Sequence, residues 1–440
     1  MSETIVLKKG LDVPVNGSAA PLVSKSMTPF TIAVKPDVKG LLPRLLVKEG
    51  DPVKCGSPVI ADKKKPEILL TSPVSGTVKE VVRGEKRKLL AVVIEASLQQ
   101  EKVSFDTSDV RKALLESGLW TLLVQRPYGI MADPDAHPKG IFVSTFHTGP
   151  LAPDTSFTLG SQVAMLQKGI DALGQLAPVH VSLEAKADSP FAGLANCTLH
   201  SFRGKHPAGN VGVQISHISP IRKDETVWTV SPEGLAAIGR LFATGKLDLR
   251  RKVAVCGPAA IEPSYVETLP GTPVKDFAAF WGGSAEGLRL VCGDLLSGTC
   301  VSPDGYTGRD DVQLSIIHEG TEKELLGWIN PLRLRHFSAD RSYFSWLQPR
   351  KRYDMTTNLH GGVRPFLMND GYYSKYLPMD IYPVFLAKAC LAGDIEKMEK
   401  FGIYEVLPED LAVCDFVDPS KNDIQDIIAG GIDLMLKEMA

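Results

Sequence analysis

The chain has 440 residues, a formal net charge of −2 and 23% charged residues. This length is too great for one compact core and predicts roughly two to four domains. Nucleic-acid binders usually carry a strong basic excess, so the near-neutral charge argues against nucleic acid as a partner. The absence of any apolar run of about 18 residues predicts no membrane-spanning helix. The first residues lack the apolar core of a signal peptide, so we expect a cytoplasmic protein.

The cysteines are scattered and form no CxxC pair, which argues against a disulfide framework. Reduced, mostly buried thiols are the favoured interpretation. Zinc and iron–sulfur sites need clustered ligands, so we expect no metal site. The lone cysteine of "DLAVCDFVDPSK" is expected to be buried near a helix end. The seven positions are Cys55, Cys197, Cys256, Cys292, Cys300, Cys390 and Cys414.

Residues 1–102 are predicted to form an all-β module. Short runs of Val, Leu and Ile alternate with Gly and Pro turns, as in "LLVKEGDPVKCGSPVI" and "LLTSPVSGTVKEVV". This pattern resembles biotinyl/lipoyl-carrier domains, which present one lysine on a hairpin between the two halves. The matching residues 62–66, "DKKKP", lack the Met-Lys-Met context of a carrier. A solvated basic hairpin or a partner surface is therefore favoured over carrier function.

Residues 103–257 are predicted to be an α/β domain with a parallel sheet. Strand patterns such as "GIFVSTFH", "PVHVSLE", "CTLHSF" and "RKVAVCG" alternate with helical patterns such as "SPEGLAAIGRLFATG". The dinucleotide fingerprint GxGxxG is absent after every predicted strand, and only Gly209-x-x-Gly212 partly matches it. Residues 258–327 are predicted to be β-rich with one short helix. Residues 328–440 are predicted to be irregular at first and then mostly helical.

One candidate ligand site is the stretch "KHPAGNVGVQISH" at residues 205–217, interpreted as a loop after the strand "CTLHSF". Loops at the carboxyl ends of parallel strands commonly bind ligands, and glycines permit close approach. A zinc site is disfavoured because four ligands are not evident. A phosphate- or quinone-facing loop and a purely structural loop both remain open. The candidate residues are His206, Pro207, Gly209, Gly212 and His217.

A second candidate is "WTLLVQRPY", in which Arg126, Pro127 and Tyr128 follow an apolar run. A guanidinium could hold a carbonyl oxygen, and an aromatic ring could stack on a flat head group. In the alternative interpretation, Arg126 caps a strand and Tyr128 partly covers the core.

Several motifs in order resemble the A subunits of the sodium-translocating NADH:quinone oxidoreductase (Na⁺-NQR). They include "KKGLDVPVNG", "VKEGDPVK", "TSPVSGTV", "HPAG", "CGDLLSGT" and "EDLAVCDFVDPSK", and the resemblance covers nearly the whole chain. It implies a biotinyl-like module, a Rossmann-like parallel sheet, a β-grasp ligand-binding domain and a helical C-terminal tail. It also implies a peripheral subunit on the cytoplasmic face of the bacterial inner membrane, supporting quinone reduction coupled to Na⁺ export.

The resemblance further implies no cofactor bound by this chain, with quinone as a possible ligand. Flavins and the 2Fe-2S centre would lie on the other five subunits, of which the membrane subunits are the expected partners. Two positions depart from the family pattern: His147 replaces a usual Asp, and Asp418 replaces a usual Cys. The alternatives are a ligand-free scaffold of the same complex and an independent flavin- or NADH-binding protein.

Overall fold

The computed structural model describes residues 4–186, 188–322, 330–358 and 368–438. These residues form β-sheets of seven, six, four and three strands. No helix within these ranges is long and apolar enough to cross a membrane. The domain boundary predicted between residues 327 and 328 lies outside the described residues.

The predicted β module consists of the two smaller sheets, and every strand pairing within them is antiparallel. The "DKKKP" segment forms the hairpin expected of it. Its Lys65 is paired with Asp133 and with Asp135 at 2.7 Å, so this lysine is bound within the chain. The strands are Thr31–Val34, Pro43–Leu45, Pro52–Val53, Pro58–Asp62, Leu69–Thr71, Gly76–Arg83 and Leu89–Ala96.

The seven-stranded sheet has the parallel core that the alternating pattern predicts. Its first five strands are parallel, and each of its last two strands is antiparallel to the strand before it. The next two strands in sequence after the central strand Ile141–Ser144 lie on one side of it, and the later strand Val227–Thr229 lies on its other side. Such a reversal of the strand order is a topological switch point. In spatial order the strands are Thr4–Val6, Thr198–Arg203, Val179–Glu184, Ile141–Ser144, Val227–Thr229, Val124–Arg126 and Ile130–Met131.

Helices cover this sheet, and the helix Pro232–Thr244 begins where its sequence predicts. Ser231 caps the helix Pro232–Thr244 by accepting from the Gly234 amide at 3.1 Å, with Pro at the first helical position. That helix packs so closely on its neighbour that a Cβ on Gly239 would overlap a backbone carbonyl. The helices of this unit are Val110–Ser117, Thr155–Leu159, Val163–Leu173, Val211–Ile218 and Pro232–Thr244.

The stretch at residues 205–217 was interpreted as a loop throughout. In the structure, residues 204–210 form a loop and Val211–Ile218 form a helix. The interpretation of its second half was therefore wrong. Its run of Val and Ile is short, and short apolar runs do not distinguish helix from strand by periodicity alone.

The six-stranded sheet includes a strand assigned to the α/β domain. Arg251–Cys256 pairs with Ser264–Thr268 and Gln313–His318, not with the seven-stranded sheet. Two early strands also lie outside the β module, since Thr4–Val6 joins the seven-stranded sheet and Val23–Ser26 the six-stranded one. In spatial order the six strands are Thr299–Val301, Leu288–Cys292, Gln313–His318, Arg251–Cys256, Ser264–Thr268 and Val23–Ser26. The short predicted helix is the 3₁₀ segment Val274–Trp281.

The C-terminal part is irregular over residues 330–358 and then helical, as predicted. Its apolar residues share one core with the loop 204–210 and the adjacent end of the seven-stranded sheet. Cys414 is buried in the helix Ala412–Val417. The helices are Asp370–Tyr376, Pro383–Ala392, Ile395–Phe401, Ala412–Val417 and Ile424–Glu438, with 3₁₀ turns at Phe344–Leu347 and Pro408–Leu411.

Candidate functional site

The loop 204–210, here called the His206 loop, lies at the carboxyl end of the parallel strands, where such sheets usually bind ligands. The chain itself fills this position. Ser144 donates to the Gly209 carbonyl oxygen at 3.0 Å, and Gly209 donates to Thr148 Oγ1 at 2.9 Å. A Cβ on Gly209 would lie 2.7 Å from the Thr148 nitrogen. The close approach that Gly209 permits is therefore between two loops of this chain.

The His206 side chain in this loop is buried, and it too contacts other residues of the chain. Its Nδ1 lies 3.3 Å from Thr148 Oγ1, and its backbone nitrogen donates to Asp12 at 3.1 Å. Its Nε2 has no hydrogen-bond partner among the described residues. Burial lowers the pKa of His206, although three nearby carboxylates oppose that shift. The imidazole is therefore neutral near physiological pH.

Arg126 forms a buried ion pair with the C-terminal part. Its guanidinium lies 2.8 Å from Asp410 and 3.0 Å from Glu409, and the side chains of Arg126 and Asp410 are 2% and 0% exposed. Burial acts to lower the pKa of Arg126, but the two carboxylates together outweigh burial and raise this pKa. Gly212 leaves room for the pair, because a Cβ there would overlap both partners. The charge of Arg126 is therefore neutralised within the chain.

The remaining predicted residues lie around the same contact between the α/β unit and the C-terminal part. Arg126–Pro127 and His206–Pro207 are both cis peptide bonds. Tyr128 is buried and meets Tyr404 edge to face, with ring centroids 6.2 Å apart. His217 is exposed in the last turn of its helix, with Nδ1 2.9 Å from the Val213 carbonyl oxygen. The structure thus gathers most of these residues at a contact within the chain, and leaves His217 apart on the surface.

A cleft opens elsewhere, where the β module, the α/β unit and the six-stranded sheet meet. We call it the junction cleft. It contains about 780 Å³ free of protein atoms, including solvent at its mouth. Its walls are mainly apolar, although eight charged side chains also line it. The residues that matter below are Leu122, Glu233, Ala237, Arg240, Leu249 and Arg309.

Glu233 is the unusual group in the junction cleft. It lies in the first turn of the helix Pro232–Thr244 and is only 9% exposed. Neither carboxylate oxygen has a hydrogen-bond partner among the described residues. Buried polar groups are nearly always hydrogen-bonded, and an unsatisfied carboxylate is costly. Such a group in a cleft is a candidate for contact with a ligand.

Besides Glu233, the charged residues that line the cleft are Lys35, Asp37, Arg240, Arg250, Arg251, Arg309 and Asp310. Arg240 lies two turns after Glu233 and is held by the Gln162 side chain at 2.6 Å and by two backbone carbonyls. Burial lowers the pKa of Arg240, and Glu233 is among the carboxylates that oppose this shift. Arg309 binds Asp310 through Nε and Nη2, while its buried Nη1 has no partner among the described residues. The lining of the cleft therefore contains one acceptor group and one donor that have no hydrogen-bond partner among the described residues.

A feature of the sequence marks Glu233 as unusual, although neither of the two candidate ligand sites predicted from the sequence includes this residue. In "SPEGLAAIGRLFATG", the charged Glu233 and Arg240 share a helical face with Ala237, and that helix is otherwise nearly all buried. Two charges on the core face of a helix are uncommon and point to a partner or a ligand. No comparable sequence feature marks Arg309. It reaches the cleft from a loop between two strands of the six-stranded sheet. Within the described ranges, no group of three or more His, Cys, Asp or Glu could hold a metal ion.

The class of protein follows from comparison with known families. Residues 5–97 match the NqrA N-terminal barrel-sandwich hybrid domain, and residues 105–247 match the NqrA second alpha/beta domain. The first match agrees with the two antiparallel sheets of the β module, and the second with the parallel core of the seven-stranded sheet. The resemblance inferred from the ordered motifs is therefore confirmed.

Full-length relatives define the family more narrowly. The chain is 36% identical to the A subunit of the Na(+)-translocating NADH-quinone reductase of Shewanella amazonensis, over 99% of this chain and 100% of that one. It is 37% identical to the A subunit of the same reductase from Alcanivorax borkumensis, over 96% and 97% of the two chains. The chain belongs to the family of Na(+)-translocating NADH-quinone reductase A subunits, and so is a component of an oxidoreductase complex.

Among solved structures, one chain of an NAD+-reducing NiFe-hydrogenase in the air-oxidized state is similar at 11% identity and a TM-score of 0.31. The likeness covers 42% of this chain and 41% of that chain. It is too weak to support a structural argument.

Proposed function

We propose that this chain is a peripheral subunit on the cytoplasmic face of the bacterial inner membrane, and that it contributes a quinone-binding site. In this proposal it serves the quinone-reducing end of electron transfer coupled to Na⁺ export. Its partners are the other five subunits, which carry the flavins and the 2Fe-2S centre, and this chain binds no cofactor of its own. A Rossmann-like α/β domain and a β-grasp domain belong to the same proposal, and the strand order of the seven-stranded sheet supports the first.

The unpartnered Glu233 carboxylate in the junction cleft is the observation that carries the proposal. Small-molecule sites are mostly apolar, with a few polar groups that fix orientation. A quinone carbonyl accepts hydrogen bonds, which the free Nη1 of Arg309 can donate. A quinol hydroxyl donates, and Glu233 can accept from it. The relatives are named as quinone reductases, which makes a quinone the ligand class that fits this pair best.

The test compares the oxidised and reduced forms of a short-chain ubiquinone by isothermal titration calorimetry on the purified chain. A hydrogen bond to a charged group contributes about 1.5–3 kcal/mol. Glutamine keeps a neutral carbonyl acceptor, and a neutral hydrogen bond contributes about 0.5–1.5 kcal/mol, so Glu233→Gln should weaken quinol binding relative to quinone binding by roughly five- to tenfold. Glu286→Gln removes the same charge from an exposed loop and is the matched control. Absence of saturable binding, or an unchanged quinol-to-quinone ratio in the Glu233 variant, would refute the cleft as the site.

The sequence-derived residues provide a competing location for the same function. A quinone analogue that protects Arg126, Tyr128 and His206 from chemical labelling would place the ligand at the His206 loop. We expect no such protection, because these side chains are buried and, for Arg126, already ion-paired.

A ligand-free scaffold is the second candidate function. It is favoured by the ion pair that Arg126 makes within the chain, since Arg126 was a candidate ligand-binding residue. In that case no quinone would bind, yet the chain would still copurify with the membrane subunits. An independent flavin- or NADH-binding protein would instead be coloured, or its thermal midpoint would rise with NADH or FMN.

A further inference from the structure

A strongly basic segment lies between the six-stranded sheet and the C-terminal helices. Residues 330–353 contain five arginines and one lysine but only one acidic residue, Asp340. The whole chain has a net charge of −2, so the positive charge is concentrated locally. Four of the arginines are exposed, namely Arg335, Arg341, Arg350 and Arg352. The segment therefore presents a positive surface on a nearly neutral protein.

The same segment exposes large apolar side chains. Single exposed apolar residues are ordinary, but a group of them usually marks an interaction site. Here five occur within 16 consecutive positions: Leu332 at 68% exposure, Leu334 at 42%, Phe344 at 45%, Trp346 at 42% and Leu347 at 61%. We call these five residues, with the exposed arginines, the basic–aromatic patch.

Backbone contacts bring the two ends of the segment together. The Phe344 amide donates to the Pro331 carbonyl oxygen at 2.9 Å. Lys351 Nζ donates to the Leu334 carbonyl oxygen at 2.6 Å. The stretch that carries Leu332 and Leu334 therefore lies beside the turn Phe344–Leu347. The exposed apolar residues of both stretches are therefore close to each other along the backbone.

Residues of the same segment also anchor the patch to the rest of the chain. Tyr353 is buried, its amide donates to the Pro14 carbonyl oxygen at 2.8 Å, and its hydroxyl donates to the Ser345 carbonyl oxygen at 3.3 Å. Phe337 packs against Phe416 of the C-terminal part, with ring centroids 6.1 Å apart. The inward side of the segment is thus fixed, while its outward apolar side chains remain uncovered.

Cations and aromatic rings are intermixed on the outward side. The guanidinium of Arg341 lies over the Trp346 ring, 5.0 Å from its centroid. Tryptophan and arginine at this spacing suit the boundary of a lipid bilayer, where the ring enters the headgroup region and the cation meets anionic headgroups. A protein partner of this patch would need an unbroken acidic and apolar face, whereas an anionic bilayer supplies both features everywhere.

We propose that the basic–aromatic patch docks this chain directly on an anionic lipid bilayer. Phe344, Trp346 and Leu347 insert at the headgroup boundary, and Arg341 and Arg350 contact the negative surface. Each cation near such a surface strengthens binding by about fivefold. The inference goes beyond the quinone proposal and does not depend on it.

The test uses the full chain with vesicles of phosphatidylglycerol mixed with phosphatidylcholine, and with phosphatidylcholine alone. Cosedimentation should occur with the anionic vesicles and weaken as salt is added. Arg341→Glu/Arg350→Glu should reduce the partition coefficient by at least tenfold. Trp346→Ala/Leu347→Ala should also reduce it with the charge unchanged. Lys63→Glu/Lys64→Glu makes the same charge change on the exposed hairpin of the β module and is the matched control.

Each outcome has a clear meaning, provided that the variants keep the thermal midpoint of the original chain. Loss in the two patch variants, with little loss in the hairpin control, supports the proposal. Equal losses in the patch and hairpin variants would show nonspecific charge attraction and overturn it. Absence of binding to anionic vesicles would overturn the proposal. If the patch variants also failed to join the membrane subunits, the patch would be a protein interface instead. Because the vesicles contain no quinone, none of these results affects the quinone proposal.

Discussion

The Arg126–Asp410 ion pair predicts that Arg126→Met will loosen the C-terminal part from the α/β unit. Asp410 is fully buried and accepts from Arg126 at 2.8 Å and from the Leu407 amide at 3.1 Å. Methionine fills much of the same volume but has no charge, so the Asp410 carboxylate would be left buried with only the amide contact. Removing one partner of a buried pair costs about 3–5 kcal/mol, because the other charge stays desolvated.

Hydrogen exchange is the suitable assay, because a multidomain chain does not unfold in one two-state transition. It reports local opening of the C-terminal helices separately from the sheets. Each 1.36 kcal/mol is a factor of about ten, so amides of the helix Ile424–Glu438 should exchange roughly 10²- to 10⁴-fold faster in the variant. Amides of the strand Leu89–Ala96 in the β module should be unchanged.

The double variant Arg126→Met/Asp410→Leu tests the cause. It removes both charges, and replacing a buried pair by apolar residues is often neutral. Most of the original protection should therefore return. Lys397→Met, which removes an exposed partner of Asp394, is a control in which protection should not change measurably. Less than a tenfold effect in Arg126→Met, or a double variant as unprotected as the single one, would refute the reasoning.

Three further predictions rest on other contacts. Alkylation of the native protein should label Cys300 first, since it is exposed, and Cys300→Ser should remove the fast phase measured by mass spectrometry. Burial raises the pKa of Glu405 to about 7, so the folded state holds an extra proton below that pH. Stability should fall as pH rises from about 5 to about 8, and Glu405→Gln should flatten this dependence of the thermal midpoint. Gly239→Ala should lower the midpoint because its Cβ would overlap the Met165 carbonyl, whereas Gly430→Ala has open space and should raise it slightly.

The elements of the fold were predictable where local chemistry decides them. The helix Pro232–Thr244 was evident from its serine cap, its proline and its apolar periodicity, and the antiparallel β module from its turns. Strand partners were not predictable, because periodicity specifies which face is buried and not which strand lies alongside. That is why Arg251–Cys256 was recognised as a strand but assigned to the wrong sheet, and why the placement of Thr4–Val6 was missed.

In the candidate sites, too, local features were predictable and distant contacts were not. The sequence identified Arg126 and His206 as unusual residues, but their roles depend on Asp410, 284 positions away from Arg126, and on Asp12, 194 positions away from His206. Such distant partners leave no pattern in one sequence. Glu233 was different, because a charge on the buried face of an apolar helix is visible locally. What the sequence could not reveal was that the fold would leave this carboxylate without a hydrogen-bond partner among the described residues.

Glu233 differs from the paired charges because the described residues supply its carboxylate with neither an ion pair nor a hydrogen bond. Arg126 and Lys65 looked available in the sequence, and each is ion-paired across a contact between units. Glu233 and Nη1 of Arg309 are buried at the cleft where three units meet, and neither has a hydrogen-bond partner in the part of the chain that the structure describes. A fold that pairs its charges at other contacts between units gains no stability from leaving the Glu233 carboxylate without a partner among the described residues. Under the proposed function, a quinone bound in the cleft would supply the missing hydrogen bonds.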